Sequence, residues 1–364
     1  MSKSKIPTAD EWLVHCRPGY ESVCAAELTE KLQSRGFPAV YAIAKPGHAW
    51  LRLVNPLTEG DADMGRAVPA QCIFPRQIVP LWQWLDALPT DDRVGAILAA
   101  LPPQARFSGL QLSSPDSNDG KSLNRLLRPL EKALRQGLRQ AAIGLDDTNA
   151  PCLHIFLPDG QHAGVGVTPD ASQAPGGVRR LRMPSAAPSR STLKLDEALQ
   201  VLLSSNEREH LLQPGQTAVD LGAAPGGWSW QMVRRHIHVT AVDNGPMDAR
   251  LLDSGLVDHV RADGFSWEPA RRVDWLLCDI VDKPGRVSHR IGQWLAKGWS
   301  RHAVFNLKLP MKQAWPTVRD LLGTLDRVLK DSRPDITLRA RQLYHDREEI
   351  TVAAISDADK GGSP

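Results

Sequence analysis

Cysteine is scarce in this chain, with 5 among 364 residues. Cys16, Cys24, Cys72, Cys152 and Cys278 form no CxxC pair and no Cys/His run with zinc spacing, which argues against a zinc site. Buried thiols in a reducing compartment are the expected state. Long apolar runs are also missing. None approaches the ~20 residues that a membrane helix needs, so no membrane partner is expected. The segment Met1-Ser2-Lys3-Ser4-Lys5 is polar and no apolar h-region follows it, so a secretory signal is not expected and a cytoplasmic protein is. Net charge is low as well, at +3. Any affinity for nucleic acid must therefore come from local clustering of basic residues. No His/Asp/Glu cluster suggests a metal.

What is present is globular material: 42% hydrophobic and 23% charged residues, enough for two domains. The first 69 residues read as an α+β module. Glu11 to Cys16 suits a strand, and Tyr20 to Arg35 a helix stopped by Gly36. Val40 to Ala44 and Ala49 to Val54 suit two strands around Pro46-Gly47. This βαββ order predicts a small ferredoxin-like sheet with helices on one face.

A second module is predicted over 70–170. Its clearest strands are Leu153 to Leu157 and His162 to Val167, joined by a turn at Pro158-Asp159-Gly160. Before them, Lys121 to Ala141 predicts a helix. Lys121, Arg125, Arg128, Lys132, Arg135 and Arg139 recur every three or four residues and fall on one face. Leu123, Leu127, Leu130, Leu134 and Leu138 supply its apolar side, with Pro129 as a kink or start. Such a stripe suits a phosphate backbone as well as it suits plain solvent. Residues 171–192 read as a basic linker with Arg179, Arg180, Arg182 and Arg190, and 357–364 as a disordered tail.

From residue 193 to 356 short apolar strands alternate with helices. Strands are expected at 218–221, 238–242, 257–261, 275–278 and 303–307, then a late hairpin at 336–341 and 350–355. Helices are expected at 195–204, 227–236, 287–297 and 315–329. This is the pattern of a Rossmann-like, doubly wound α/β sheet.

The strongest chemical signal is Asp220-Leu221-Gly222-Ala223-Ala224-Pro225-Gly226-Gly227-Trp228, placed where a strand gives way to a helix. Ligands of open α/β sheets bind at the carboxyl ends of strands, and small residues let backbone approach a ligand. The spacing G-x-x-x-G-G is neither the dinucleotide G-x-G-x-x-G nor a phosphate loop ending in G-K-[ST], which disfavours a dehydrogenase and an NTPase. Acids close the following strands at Asp243, Asp263 and Asp279. The first suits two ribose hydroxyls and the second an adenine amino group.

Residues 189–355 resemble the FtsJ-like (RrmJ-type) ribose 2′-O-methyltransferases. The resemblance is carried by Ser189-Arg190-Ser191-Thr192-Leu193-Lys194-Leu195-Asp196-Glu197, by Asp220 to Trp228, by Asp279, by Asn306-Leu307-Lys308 and by Asp346-Arg347-Glu348. It implies S-adenosylmethionine as cofactor, held by Ser191, Asp220, Gly222, Ala224, Pro225, Gly226, Gly227, Asp243, Asp263 and Asp279. It also implies a Lys-Asp-Lys-Glu catalytic tetrad at Lys194, Asp279, Lys308 and Glu348. Lys312 and Glu349 stand close by as rivals. Lys308 is preferred because it follows a strand directly, and Glu348 because Arg-Glu precedes the final strand in the family. The run Asp279-Ile280-Val281-Asp282-Lys283-Pro284 departs from the family's usual Asp followed by Ala-Pro or Ser-Pro. Including its N-terminal modules, the whole chain is similar to bacterial members that carry an RNA-binding THUMP domain before the catalytic one. That likeness implies, for a monomer, a cytidine in the peptidyl-transferase loop of 23S rRNA, naked or in an assembly particle. The readings set against it are a methyltransferase acting on another RNA nucleotide, a base or a small molecule, and a non-catalytic RNA-binding assembly factor.

Overall fold

The computed structural model describes residues 11–45, 47–53, 68, 71–102, 105–168, 174–310 and 312–357. The expected polar N-terminus, and the tail beyond residue 357, lie outside them. Among the described residues no helix is long and apolar enough to cross a membrane. The chain divides into two compact units, Met1–Val178 and Arg179–Pro364.

The first unit is built on one seven-stranded sheet. Its elements run β1 (Glu11–His15), α1 (Glu21–Gln33), β2 (Ala39–Lys45), β3 (His48–Leu53), β4 (Gln77–Leu85), α2 (Arg93–Ala99), β5 (Leu110–Ser113), α3 (Asn118–Ser122), α4 (Asn124–Gln140), β6 (Cys152–Phe156) and β7 (Ala163–Thr168). The strand order is β2-β3-β1-β4-β7-β6-β5. β1 pairs antiparallel with β4, from Glu11↔Leu81 to His15↔Gln77, so strands of both expected N-terminal modules share one sheet. A buried carboxylate holds the residues that lead into β4: Glu27 of α1 accepts the backbone N–H groups of Ile73 (2.7 Å) and Phe74 (2.9 Å) and the ammonium of Lys31.

The expected basic helix is present but broken in two, with Leu123 joining α3 and α4. Leu127, Leu130, Leu134 and Leu138 of α4 are buried with Phe107, Leu110, Ile155 and Val165, as the leucine spacing dictates. Lys121, Arg125, Arg128, Lys132 and Arg139 are exposed. Arg135 departs from the stripe. Its guanidinium donates to Glu131 at 2.8 Å and to the Leu110 carbonyl at 3.0 Å, so it is committed within the unit.

The second unit holds α5 (Thr192–Leu202), α6 (Ser205–Leu211), β8 (Thr217–Leu221), α7 (Gly227–Val233), β9 (His238–Val242), α8 (Ala249–Leu252), β10 (Val257–Val260), β11 (Val273–Cys278), α9 (Pro284–Ala296), β12 (Ser300–Lys308), α10 (Ala314–Ser332), β13 (Ile336–Arg341) and β14 (Glu349–Ser356). Its sheet order is β10-β9-β8-β11-β12-β14-β13. The five strands from β10 to β12 are parallel, and β14 runs antiparallel to both of its neighbours. The doubly wound expectation therefore holds. The chain reverses its winding between β8 and β11, which opens a crevice at their carboxyl ends, where such sheets bind ligands. Trp275 and Leu277 of β11, Val304 of β12 and Ala353 of β14 are fully buried with Leu195 and Leu199 of α5, so α5 lies against that face of the sheet.

Candidate active site

The glycine turn sits at the crevice. Gly226 has φ +110°, a left-handed conformation that a side chain resists, and it leads directly into α7. A Cβ at Gly227 would collide with the hydroxyls of Ser191 and Ser189, so only glycine lets the α5 entry close on this turn. Those two hydroxyls share a 2.6 Å hydrogen bond. Thr192 adds a second tie, donating to the Gly227 carbonyl at 3.0 Å.

The acids of the strand ends take different places. Asp243, half-buried after β9, accepts the N–H of Ala224 at 3.0 Å through Oδ2 and that of Gly245 at 2.7 Å through Oδ1. A carboxylate accepts about four hydrogen bonds, so each oxygen retains a lone pair for a vicinal diol. Asp263 is exposed after β10, its Oδ1 accepting the N–H of Phe265 at 2.9 Å. Asp220 stands apart from them. It is buried beneath the turn and accepts the Ser229 hydroxyl at 2.7 Å. Burial pushes its carboxyl up to about 7 against the opposing pull of Ser229. Its side chain braces the turn from within, where the sequence placed it among the cofactor contacts.

Beside the turn four charged side chains meet. Lys194 Nζ lies 3.2 Å from Asp279 Oδ2 and 2.7 Å from Glu349 Oε1. Lys308 Nζ contacts Glu349 Oε2. Asn306 Nδ2 donates to Asp279 Oδ1 at 2.8 Å. The sequence expectation of Glu348 in this group is corrected here. Glu349 is the first residue of β14 and pairs in register with Lys308, so both side chains leave the same face of the sheet. Glu348, one residue earlier, is exposed, and only its backbone carbonyl is engaged, by Leu309 N–H at 2.7 Å. Lys312 is likewise exposed.

Charge and burial set the protonation states. Burial alone would push the Glu349 carboxyl up, but hydrogen bonds from Lys194 and Lys308 carry it below the ordinary carboxylate range. Burial works against the Lys194 ammonium too, yet Asp279 and Glu349 raise it overall, so Lys194 stays charged. Asp279 is raised by burial, with Lys194 and Asn306 opposing. The cluster thus interleaves two lysines with two acids. Lys308 is its most open member, its side chain 30% exposed against 1% for Glu349. Sequence reasoning missed Asn306 as a contact of Asp279. The signal was its place two residues before Lys308, on the same face of β12.

A glycine turn after β8, an acid after β9 and a charged cluster beside them on a doubly wound sheet define a nucleotide-cofactor enzyme of the methyltransferase kind. Residues 187–343 match the profile of FtsJ-like methyltransferases, whose cofactor is S-adenosylmethionine. The open lone pairs of Asp243 and the glycine turn suit that cofactor's ribose and amino-acid parts. Residues 10–79 match a ferredoxin-like domain and 92–169 the N-terminal domain, both of ribosomal RNA large subunit methyltransferase M. The protein of that name from Xanthomonas campestris pv. campestris (strain B100) is 46% identical over 347 residues, covering 94% of this chain and 98% of its own. The counterpart from Xanthomonas axonopodis pv. citri is 44% identical over 349 residues, 95% of this chain and 99% of its own. The chain belongs to the ribosomal RNA large subunit methyltransferase M family. Among solved structures, TrmN from Thermus thermophilus aligns over 95% of this chain and 99% of its own at 15% identity, with a TM-score of 0.35.

Proposed function

We propose that this protein methylates a ribose 2′-oxygen of RNA, at a cytidine in the peptidyl-transferase loop of 23S rRNA, free or in an assembly particle. The observation that carries the reading is the contact of Lys194, Asp279, Lys308 and Glu349 beside the glycine turn. Two lysines interleaved with two acids suit a hydroxyl nucleophile, which must lose a proton as it attacks. The relatives' name supports the choice of large-subunit rRNA, and the family resemblance supports the ribose and the cytidine. The exposed row on α4 suits an RNA backbone, in keeping with a THUMP-like module. A monomer in the cytoplasm fits this role.

S-adenosylmethionine supplies an electrophilic methyl group on a sulfonium. Ser191, Gly222, Ala224, Pro225, Gly226 and Gly227 would line its amino-acid part, Asp243 would accept its ribose hydroxyls, and Asp263 would meet its adenine. The remaining work falls to the charged cluster. Lys194, clamped by two carboxylates, keeps its proton and holds Asp279 and Glu349 in place. Lys308 has one carboxylate and an open side, so it is the group that reaches the attacking oxygen. It either takes the proton, a role worth about 10²–10⁴-fold, or stabilises the forming alkoxide as a cation.

Incubation of 23S rRNA with labelled cofactor, followed by mass mapping of the modified nucleoside, tests the assignment. A methyl group on a base, or on no ribose of the peptidyl-transferase loop, would refute it. Lys308→Ala should lower kcat at least about 10²-fold with little change in KM. Lys308→Arg then separates the two roles, because arginine keeps its charge but accepts no proton.

A further inference from the structure

Behind Asp279 lies a buried hydrogen-bonded chain. Asn306 Nδ2 donates to Asp279 Oδ1 at 2.8 Å, and Thr351 Oγ1 donates to Asn306 Oδ1 at 2.7 Å. Thr351 Oγ1 also lies 3.1 Å from each carboxyl oxygen of Asp346. Asn306, Thr351 and Asp346 are all buried, at 2%, 0% and 1% exposure. We propose that Asp346, Thr351 and Asn306 form a one-way positioning relay that fixes the Asp279 carboxylate for catalysis. The proposal rests on the reading of Asp279 as part of the active site.

The direction follows from counting protons. A threonine hydroxyl has one hydrogen, and it faces three acceptor oxygens. Were it given to Asp346, Asn306 Oδ1 would face the Thr351 oxygen at 2.7 Å with no hydrogen between them. Were the Asn306 amide turned over, its oxygen would sit 2.8 Å from a carboxylate oxygen. The arrangement without repulsion has Thr351 donating to Asn306 Oδ1 and Asp346 donating to Thr351 Oγ1. It requires Asp346 to be a neutral acid. Burial, with the nearby charges of Glu349 and Glu197 adding to it, pushes the Asp346 carboxyl up to about 8, against the hydrogen bond from Leu343 N–H. The relay's far end is itself anchored. Leu343 N–H donates to Asp346 Oδ2 at 2.9 Å, and the N–H groups of Tyr344 and His345 donate to buried Glu197 at 2.9 and 2.8 Å. Glu197 lies on α5, one turn beyond Lys194. The segment carrying Asp346 and the helix carrying Lys194, itself in contact with Asp279, are thus held to one another.

The test is a set of full-length variants assayed for cofactor-dependent methyl transfer to RNA. Thr351→Val keeps the shape and removes the hydroxyl. Its kcat should fall at least about tenfold, since small misplacements of catalytic groups cost that or more, while cofactor affinity by calorimetry is unchanged. Thr351→Ser should recover most of the loss. Asp346→Asn mimics the neutral acid, with an amide N–H to give to Thr351, and should retain activity within about threefold, a difference of less than 1 kcal/mol. At pH 6, isotope-edited infrared spectra should show a protonated-carboxyl stretch that Asp346→Asn removes. Wild-type kcat in Thr351→Val, equal losses in the Val and Ser variants, or a loss in Asp346→Asn as deep as that in Thr351→Val would each overturn the relay. So would an infrared spectrum unchanged by Asp346→Asn, and this readout decides the matter even if Thr351→Val does not fold. The infrared result and the variant ratios do not depend on which RNA atom is methylated. Nucleoside mapping of the wild-type product alone tests the ribose reading.

Discussion

Replacing Glu349 by glutamine keeps the shape of the side chain and removes its charge. In the native protein that carboxylate is 1% exposed and is contacted by Lys194 and Lys308. Its removal leaves two ammonium groups facing a neutral amide. Breaking a buried ion pair from one side costs about 3–5 kcal/mol. Here the cost is smaller, because Lys194 keeps Asp279 at 3.2 Å and Lys308, 30% exposed, can turn to water. A loss of about 2–3 kcal/mol is expected. For a unit of this size that lowers Tm by about 4–12 °C. Methyl transfer should fall at least about tenfold, since both lysines lose their common anchor. Glu348→Gln is the control. That side chain is exposed, and its structural contact, the carbonyl that receives Leu309 N–H, survives the change. Its stability should stay within about 0.5 kcal/mol of wild type and its activity should be unaltered. Differential scanning fluorimetry and a labelled-methyl assay on the two proteins decide between them. Loss of activity in Glu348→Gln with a normal Glu349→Gln protein would refute the register argument that places Glu349 in the site.

Asp243→Ala should weaken S-adenosylmethionine binding by about 1.5–3 kcal/mol, as expected for loss of a charged acceptor; unchanged affinity by calorimetry, with the fold intact, removes Asp243 from the site. Changing exposed Arg128, Lys132 and Arg139 to glutamine should make RNA affinity less steeply dependent on salt, because fewer counterions are released; an identical slope reduces α4 to a solvated surface. The first unit should lose stability in mild acid. His15 and His154 are buried, and burial lowers both, His154 to about 3 and His15 in the same direction with help from His154, His48 and Arg76. A folded-state value below the unfolded one means that the unfolded chain takes up the proton first. The stabilisation is thus complete above about pH 6.5 and declines as pH falls from there towards 3, by up to about 1.4 kcal/mol per pH unit for each histidine. Urea midpoints at pH 7 and pH 5 measure it, and a midpoint that does not move would contradict neutral buried imidazoles.

The catalytic sheet was legible because each of its core strands is a short apolar run that ends in a polar residue with a job. Val239, Ala241 and Val242 precede Asp243, and Trp275 to Cys278 precede Asp279, so pattern and chemistry mark the same point in the chain. β4 was not legible. Pro80 interrupts it, and the alternation Trp82-Gln83-Trp84 dilutes its apolar signal, yet pairing with β1 and β7 makes it the centre of the first sheet. The short helix α6 was missed although its capping box, Ser204 with Glu207, is a sequence-level signature. The tetrad shows the finer limit. A motif locates an acid to within a residue, but strand parity decides which of two adjacent glutamates faces the lysines, and parity depends on where β14 enters register with β12. Asp220 shows another. Its place in the glycine motif is plain, but depth beneath the turn is a property of packing, and no spacing encodes it.

The division of labour between the two lysines follows from the same geometry. Both are basic side chains beside one carboxylate, and sequence order alone treats them alike. Lys194 leaves a helix and enters the cluster from the side, where Asp279 and Glu349 both reach it. Each added anion stabilises the ammonium, so Lys194 holds its proton more firmly than a free lysine. A group in that state makes a poor base and a good clamp. Lys308 ends a strand and meets a single carboxylate, one that is already shared with Lys194. Sharing weakens the hold of Glu349 on either partner, since one negative charge offsets two positive ones. On the proposed reading this leaves Lys308 as the lysine whose ammonium is only partly compensated and whose open side admits a ribose hydroxyl. Replacing Lys194 by methionine would then test the clamp rather than the base. With its stem retained and its charge gone, Asp279 and Glu349 would be left as two anions with one cation. Methyl transfer should fall at least about tenfold, since the two carboxylates lose the clamp that holds them beside Lys308. Wild-type activity in Lys194→Met, with the fold intact, would show that Lys194 is not that clamp.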